Sequence, residues 1–238
     1  MSDFSYRSFG GPGCAGNTHT VGAPDAEKRK AGGNRVEIDS STSPPHAEFW
    51  QAQKPIKRCG SGSIALAAYL YAQKQSPFAT QVITRGGAIQ LGCDRNGPFY
   101  IDRALPQRPL TYRGFWQRVC RTQVRDGALC GGREDYALIT LYRAQDLLNL
   151  QPNFRYMRQF TRRALIASFS SPRLTLMRYF APQYGIDEDS ATGSASVQLA
   201  QYQYTQTGNR RLIIHQCSAD GGRIKTHHLG ARKIRVAD

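Results

Sequence analysis

Two stretches about 130 residues apart repeat one order of residue types: a reactive side chain, a run of small residues, then an apolar helical pattern. The first reads Arg58-Cys59-Gly60-Ser61-Gly62-Ser63 and continues Ile64-Ala65-Leu66-Ala67-Ala68-Tyr69-Leu70-Tyr71. The second reads Asp187-Glu188-Asp189-Ser190-Ala191-Thr192-Gly193-Ser194, with Ala195, Val197, Leu199, Ala200 and Tyr202 giving the following segment its apolar faces. One device per half predicts an internal duplication with a site between the halves. Small residues at a helix start let a ligand approach the free backbone N–H groups. Those groups, together with the helix dipole, favour an anion such as a carboxylate. An acid beside such an anion site could move a proton on the bound molecule.

At 238 residues the chain has room for one large domain or two small ones with real cores. No apolar run approaches the ~20 residues needed to span a bilayer, and Met1-Ser2-Asp3-Phe4-Ser5 lacks the order of a signal peptide. A soluble, cytoplasmic chain without a membrane partner is therefore expected. Cys14, Cys59, Cys93, Cys120, Cys130 and Cys217 are scattered without metal-type spacing, so no metal site is expected, and a reducing compartment would keep them as thiols. The formal charge is +15, from 32 Lys and Arg against 17 Asp and Glu. Arg103, Arg108, Arg113, Arg118, Arg121 and Arg125 fall in one stretch, and Arg155, Arg158, Arg162 and Arg163 in another. Phosphate-binding residues in such number admit a nucleic-acid face. The lack of any helix-turn-helix, zinc-finger or RNA-binding signature argues against nucleic acid as the main partner. A solvated basic surface that attracts an anionic substrate is the plainer reading.

Along the chain, residues 4–9 suit a first strand and 10–17 a tight glycine-rich loop. Asn17 either bonds a substrate or closes its own turn. Residues 24–34 read as a loop or frayed helix and 36–42 as a strand. Residues 82–91 form a strand–turn–strand, 99–101 a further strand, and 106–109 a linker. The domain boundary is placed there, giving an N-terminal domain 1–108 and a C-terminal domain 109–238. In the second half, 111–124 reads as a short basic helix or arm. Strands are expected at 136–141, 164–168 and 174–180, a helical turn or two at 144–150, a hairpin from 211–215 and 222–227, and a last strand at 232–236. Strands around one helix, seen twice, argue for a repeated α+β domain rather than a doubly wound sheet.

Residues 177–202, M-R-Y-F-A-P-Q-Y-G-I-D-E-D-S-A-T-G-S-A-S-V-Q-L-A-Q-Y, resemble the F-A-P-x-x-G-(I/V)-x-E-D-P-x-T-G-S-A signature of the PhzF-like phenazine-biosynthesis isomerases, members of the diaminopimelate epimerase-like superfamily. The resemblance implies an α+β fold of two similar domains, each a β-roll around a central helix, with the active-site cleft between them. It implies a cofactor-independent isomerase or epimerase that transfers a proton at carbon of a small carboxylic acid, in a homodimer. Asp189 matches the family's aspartate as acid/base or its orienter. Backbone N–H groups of Gly60, Ser61, Gly193 and Ser194 would hold the carboxylate. Gly16-Asn17-Thr18-His19-Thr20-Val21 resembles the family's G-N-P-x-x-V segment, which makes Asn17 a substrate-binding candidate.

Two departures stand out. Ser41 occupies the position of the family's acid/base glutamate, and Ser61 that of its histidine; Glu37 or Asp39 could replace the glutamate only on a shifted backbone. Cys59-Gly60-Ser61-Gly62 instead resembles the C-G-(N/S)-G of diaminopimelate epimerase, whose cysteine is a catalytic acid or base. A helix N-terminus would favour the Cys59 thiolate. Ser190 replaces the family's proline where cysteine-pair enzymes carry a second cysteine, so a Cys59/Ser190 pair would resemble hydroxyproline dehydratases. Three outcomes therefore stay open: a PhzF-like isomerase (or a Cys/Ser dehydratase-type variant of it), a weakened relative that only binds a small carboxylate, and a basic nucleic-acid or protein-interaction domain on a reused fold. His19, Arg178 and Tyr179 are further candidates for the cleft wall.

Overall fold

The computed structural model describes residues 3–238. The first half runs β1 (Phe4–Ser8), β2 (Asn17–Gly22), α1 (Ala26–Lys30), β3 (Asn34–Asp39), β4 (His46–Gln51), β5 (Lys54–Ile56), α2 (Gly60–Lys74), β6 (Phe78–Thr84), β7 (Gly87–Asp94) and β8 (Gly97–Arg103). The second runs β9 (Gln107–Pro109), α3 (Arg113–Cys120), β10 (Val124–Cys130), β11 (Tyr136–Leu141), α4 (Ala144–Leu148), α5 (Phe154–Phe160), β12 (Ala164–Ser171), β13 (Leu174–Phe180), α6 (Gly193–Thr207), β14 (Arg211–Gln216), β15 (Gly222–Gly230) and β16 (Lys233–Ala237).

The strand pairings repeat. In the first half β1·β2, β3·β4, β6·β7 and β7·β8 are antiparallel, whereas β2·β3 and β4·β6 are parallel. In the second half β10·β11, β12·β13, β14·β15 and β15·β16 are antiparallel, whereas β11·β12 and β13·β14 are parallel. The order of senses is the same, and in each half the long helix falls before the fifth strand of the series. The equivalent last strands β8 and β16 pair antiparallel and join the halves into one continuous sheet. This is the α+β duplication expected from the paired motifs, with each half's strands curled around its own 15-residue helix.

Both helices are enclosed on nearly all sides over most of their length, α6 with Ser196, Gln198 and Gln203 buried beside its apolar residues. Ile64, Ala65, Leu66 and Ala67 of α2, and Ala195, Val197 and Leu199 of α6, are fully buried in one core with strand residues Val21, Val36, Leu91, Ile224 and Ile234. A left-handed C-cap ends each helix, Gln75 for α2 and Gly208 for α6. A second core lies on the other face of β10–β13, where Trp116, Val119, Leu147 and Met157 of α3–α5 cover the sheet.

Two local expectations change. Residues 26–30 form a true helix because Asp25 caps it, its carboxylate accepting from the N–H groups of Glu27 and Lys28. Residues 154–160 are helical although only Met157 of them is buried, a pattern too thin for a periodicity argument.

Candidate functional site

The two motifs meet at the starts of α2 and α6. Cys59 is the N-cap of α2: its Sγ accepts from the Gly62 N–H at 3.3 Å, and Ser63 Oγ donates to the Cys59 carbonyl at 2.7 Å. Thr192 is the N-cap of α6, and no side chain caps that helix among the described residues. A Cβ placed on Gly60 would lie 3.0 Å from Gly193 Cα and 2.5 Å from the Tyr100 hydroxyl. Glycine at both helix starts is what lets them approach so closely. The N–H ends of both helices thereby point into one region, doubling the field that favours an anion there.

A cavity of about 150 Å³ opens at this junction. Its wall includes Asn17, Cys59, Gly60, Ser61, Asp189, Gly193 and Ser194, together with His19, Trp50 and Tyr179. Among the expected site residues Ser190 is missing from the wall. Its hydroxyl donates to the Asp220 carboxylate at 2.5 Å, on the far side of the loop. A Cys59/Ser190 thiol–hydroxyl pair is therefore not what the fold brings together.

Cys59, Ser61 and His19 form a triangle. His19 Nε2 lies 3.5 Å from Cys59 Sγ and 3.5 Å from Ser61 Oγ, and the sulfur lies 3.5 Å from the same hydroxyl. An imidazole from β2 thus lies beside Ser61, the position at which the resemblance would place a histidine. The signal was present in the sequence: Asn17, His19 and Val21 share one face of a strand, so a strand carrying Asn17 into the site carries His19 with it. Asn17, at the start of β2, bonds across to the two motifs rather than closing its own turn. Its Nδ2 donates to the Ala191 carbonyl at 2.8 Å and to Ser61 Oγ at 3.4 Å, tying one motif to the other.

Burial sets the electrostatics. It pushes the His19 pKa down to about 4, so the ring is neutral at pH 7. It pushes the Cys59 thiol up, against hydrogen bonds from Ser61 and Gly62 that favour the thiolate, and the Asp189 charge adds to the rise. The thiolate expected from the helix N-terminus is thus overruled by desolvation. Burial also raises the Asp189 carboxyl, partly offset by Thr192, the Ser190 N–H and Asn17. Thr192 Oγ1 donates to Asp189 Oδ2 at 2.6 Å. The site at rest holds a neutral thiol, a neutral imidazole and a carboxyl poised above its ordinary range, which is the equipment of proton transfer.

Two buried polar residues hold the acidic loop, and neither carried a sequence signal of that role. Gln216 accepts from the Thr192 N–H at 2.7 Å and donates to the Asp189 carbonyl at 2.6 Å. Arg178, an expected wall residue, is absent from the cavity. It instead makes a two-pronged ion pair with Glu188 at 2.7 and 2.8 Å and donates to the Leu147, Leu148 and Leu150 carbonyls. Tyr179 is in the wall, and its carbonyl accepts from the Asp189 N–H at 3.2 Å. The Tyr100 hydroxyl is buried against both glycines with no partner among the described residues, beside a smaller cavity of about 40 Å³ behind Cys59.

The substitutes for the family's glutamate lie elsewhere. β3 ends at Asp39, leaving Asp39 and Ser41 exposed and outside the cavity wall. Glu37 is buried but engaged. Burial alone would raise its pKa, but Arg29, the Asp25 N–H and Arg35 together hold it below the usual carboxylate range. Among the described residues no group of three His, Cys, Asp or Glu side chains is placed to hold a metal.

The profile of the family described as phenazine biosynthesis-like protein matches residues 123–235. An uncharacterized isomerase of Pseudomonas aeruginosa is 31% identical over 177 residues, covering 71% of this chain and 64% of that protein. The chain thus spans slightly less than two thirds of that relative's length. In fold, a PhzF-family phenazine biosynthesis protein from Enterococcus faecalis superposes with a TM-score of 0.84 at 16% identity, covering 99% of this chain and 95% of that one. A hydroxyproline epimerase from Agrobacterium vitis, solved with bound trans-4-hydroxy-L-proline, superposes with a TM-score of 0.54 at 10% identity, covering 94% and 87%.

Proposed function

The chain is PhzF-like, in sequence over its second half and in fold throughout, and from that premise we propose that it is an isomerase that moves a proton on carbon of a small carboxylic acid. The observation that carries the reading is the Cys59–His19 contact at 3.5 Å in the same cavity as Asp189, at the meeting point of two helix N-termini. The N–H groups of Gly60, Ser61, Gly193 and Ser194 bind the substrate carboxylate and draw charge out of the adjacent C–H bond. Asp189, from the C-terminal half, takes the proton as a carboxylate. Cys59, from the N-terminal half, gives its thiol proton to the resulting carbanion, and the resting state returns when Asp189 loses its new proton to solvent and the Cys59 thiolate, hydrogen-bonded to His19 Nε2, takes one up from solvent. One C–H bond breaks and one forms, so the product is an isomer of the substrate, whether by inversion or by a double-bond shift. No step in this scheme calls on a cofactor.

The division into domains 1–108 and 109–238, each supplying one side of the cleft, belongs to the same proposal. A homodimer comes from the family resemblance and a cytoplasmic location from the sequence's composition; among the described residues no helix is long and apolar enough to cross a membrane.

The test is deuterium incorporation from solvent into a panel of small amino, imino and unsaturated carboxylic acids, read by mass spectrometry. Wild type should label at least one acid at a single carbon, and Asp189→Asn should slow labelling by about 10²–10⁴-fold, the range for loss of an acid/base group. Absence of labelling with every acid, while some of those acids still raise the melting temperature, would favour the binding relative.

A further inference from the structure

The proposed isomerase site leaves the two arginine-rich stretches unexplained, and the fold brings them together. A groove of about 690 Å³ runs between α3, α5 and the 131–135 turn, lined by Arg108 from the first stretch, Arg158 and Arg162 from the second, and by Arg133, Tyr112 and Phe160. It shares no lining residue with the Asp189 cavity.

The cations of this groove differ in how far they are neutralised. Arg158 is paired with Asp187 at 2.9 Å. Arg163, at the groove floor, is buried and donates to the Cys130 and Tyr136 carbonyls at 3.2 and 3.0 Å. Arg108, Arg133 and Arg162 have no carboxylate within 4.0 Å among the described residues. The nearby acid Asp135 is engaged by the Gly132 N–H at 2.7 Å, which leaves Glu134 as the neighbouring free carboxylate of that turn. Three guanidiniums that line one groove with no ion-pair partner outnumber the two carboxylates of the adjoining turn, and Arg in particular favours phosphate.

The aromatic side of the groove is as specific. Trp116, Phe115, Tyr156 and Phe160 form a continuous ring array, with centroids 4.9, 5.4 and 4.5 Å apart in turn. Phe160, at the open end, is 55% exposed, and Tyr112 is 83% exposed. Tyr112 is held at φ 54°, a left-handed backbone that a tyrosine rarely adopts, and its ring stands at the groove wall. Of these rings Phe160 and Tyr112 are the exposed ones that line the groove, and exposed aromatics beside arginines without ion-pair partners suit a base that stacks while its phosphate is neutralised.

We propose that this groove binds a nucleoside phosphate unit, either a free nucleotide or one residue of a single strand. The phosphate meets Arg108, Arg133 and Arg162, and the base stacks on Phe160 or Tyr112. A volume of about 690 Å³ suits a ligand of nucleotide size rather than the small acid of the other site.

Binding of ADP by calorimetry and of fluorescein-labelled oligo(dT) by anisotropy, on the full chain at two salt concentrations, tests it. Phe160→Ala and the double variant Arg133→Glu/Arg162→Glu alter exposed side chains, and circular dichroism checks their fold. Saturable binding of one or both probes is expected, weakened about tenfold or more by each variant. Tighter binding of the oligonucleotide than of ADP would assign the single strand as the source, and equal binding the free nucleotide. The proposal is overturned if neither probe saturates. It is equally overturned if the charge variant abolishes binding while Phe160→Ala leaves it unchanged, which would mean attraction of any polyanion. Conversion of a dimer to a monomer by the charge variant, without effect on either probe, would make the face an interface between copies and also overturn it.

Discussion

His19 is an imidazole that the fold keeps dry. It is 3% exposed, its Nδ1 has no partner among the described residues, and burial lowers its pKa from 6.5 to about 4. As pH falls through 6.5 the unfolded chain takes up a proton that the folded chain refuses. The contribution of the neutral ring to stability is therefore full above pH 6.5 and is lost progressively down to about pH 4. Urea titrations at pH 7 and pH 4 should show wild type losing about 3 kcal/mol more than His19→Gln over that interval. An equal loss in the two proteins would mean that His19 is solvated. The residue scale is also where sequence reasoning was weakest. Asp189 and Cys59 were legible because each sits in a motif of characteristic spacing. His19 was legible as a wall candidate, but it lies 40 positions from Cys59 and its contact with the sulfur arises only through the packing of β2 on α2. Ser190 was misread for the converse reason. It adjoins Asp189 in sequence, but where Asp189 lines the cavity the Ser190 hydroxyl turns to Asp220.

At the scale of elements, the site depends on how closely two helices begin. Alanine in place of glycine within a helix ordinarily stabilises by ~0.5–1 kcal/mol. Gly60→Ala should instead destabilise by ~1–3 kcal/mol, because its Cβ would strike the Tyr100 hydroxyl and the Gly193 backbone. Chemical denaturation measures the sign directly, and a gain in stability would show that the junction is looser than described. The acidic loop has its own brace. Arg178 is 7% exposed and joins Glu188 to the carbonyls that end α4. Arg178→Met should cost ~3–5 kcal/mol, since it strands a carboxylate and three carbonyls. Loss of that brace should also reduce deuterium exchange, by releasing Asp189. Most elements were readable from alternation and from turn residues, including both hairpins and both long helices. β4, β9 and β10 were not, the segment 106–109 reading as a linker, nor was α5, whose place is fixed by an Asn153 cap and one buried methionine rather than by an apolar stripe. The strand ending at Asp39 was read too long, which is why Ser41 looked closer to the chemistry than it is.

At the scale of the whole molecule, the duplication is the organising fact. The same sequence of parallel and antiparallel pairings occurs twice, and the two copies join through their equivalent last strands. Such a join sets the helix starts face to face, so each half contributes one wall of the site. At the proposed site the halves present different groups, a carboxyl on one side and a thiol with an imidazole on the other. They have also diverged on the outside, where α3–α5 cover the second sheet and gather the arginines that give the chain much of its charge. The measurement that tests the two-walled account most directly follows one acid in deuterated water, scoring label and isomer together for wild type and for Cys59→Ala. Wild type should form labelled isomer. Cys59→Ala should still wash deuterium into the recovered substrate through Asp189, but should form isomer at least about 10²-fold more slowly. Isomer formation by Cys59→Ala at the wild-type rate would contradict the account, since the thiol would then have no part in the second proton transfer.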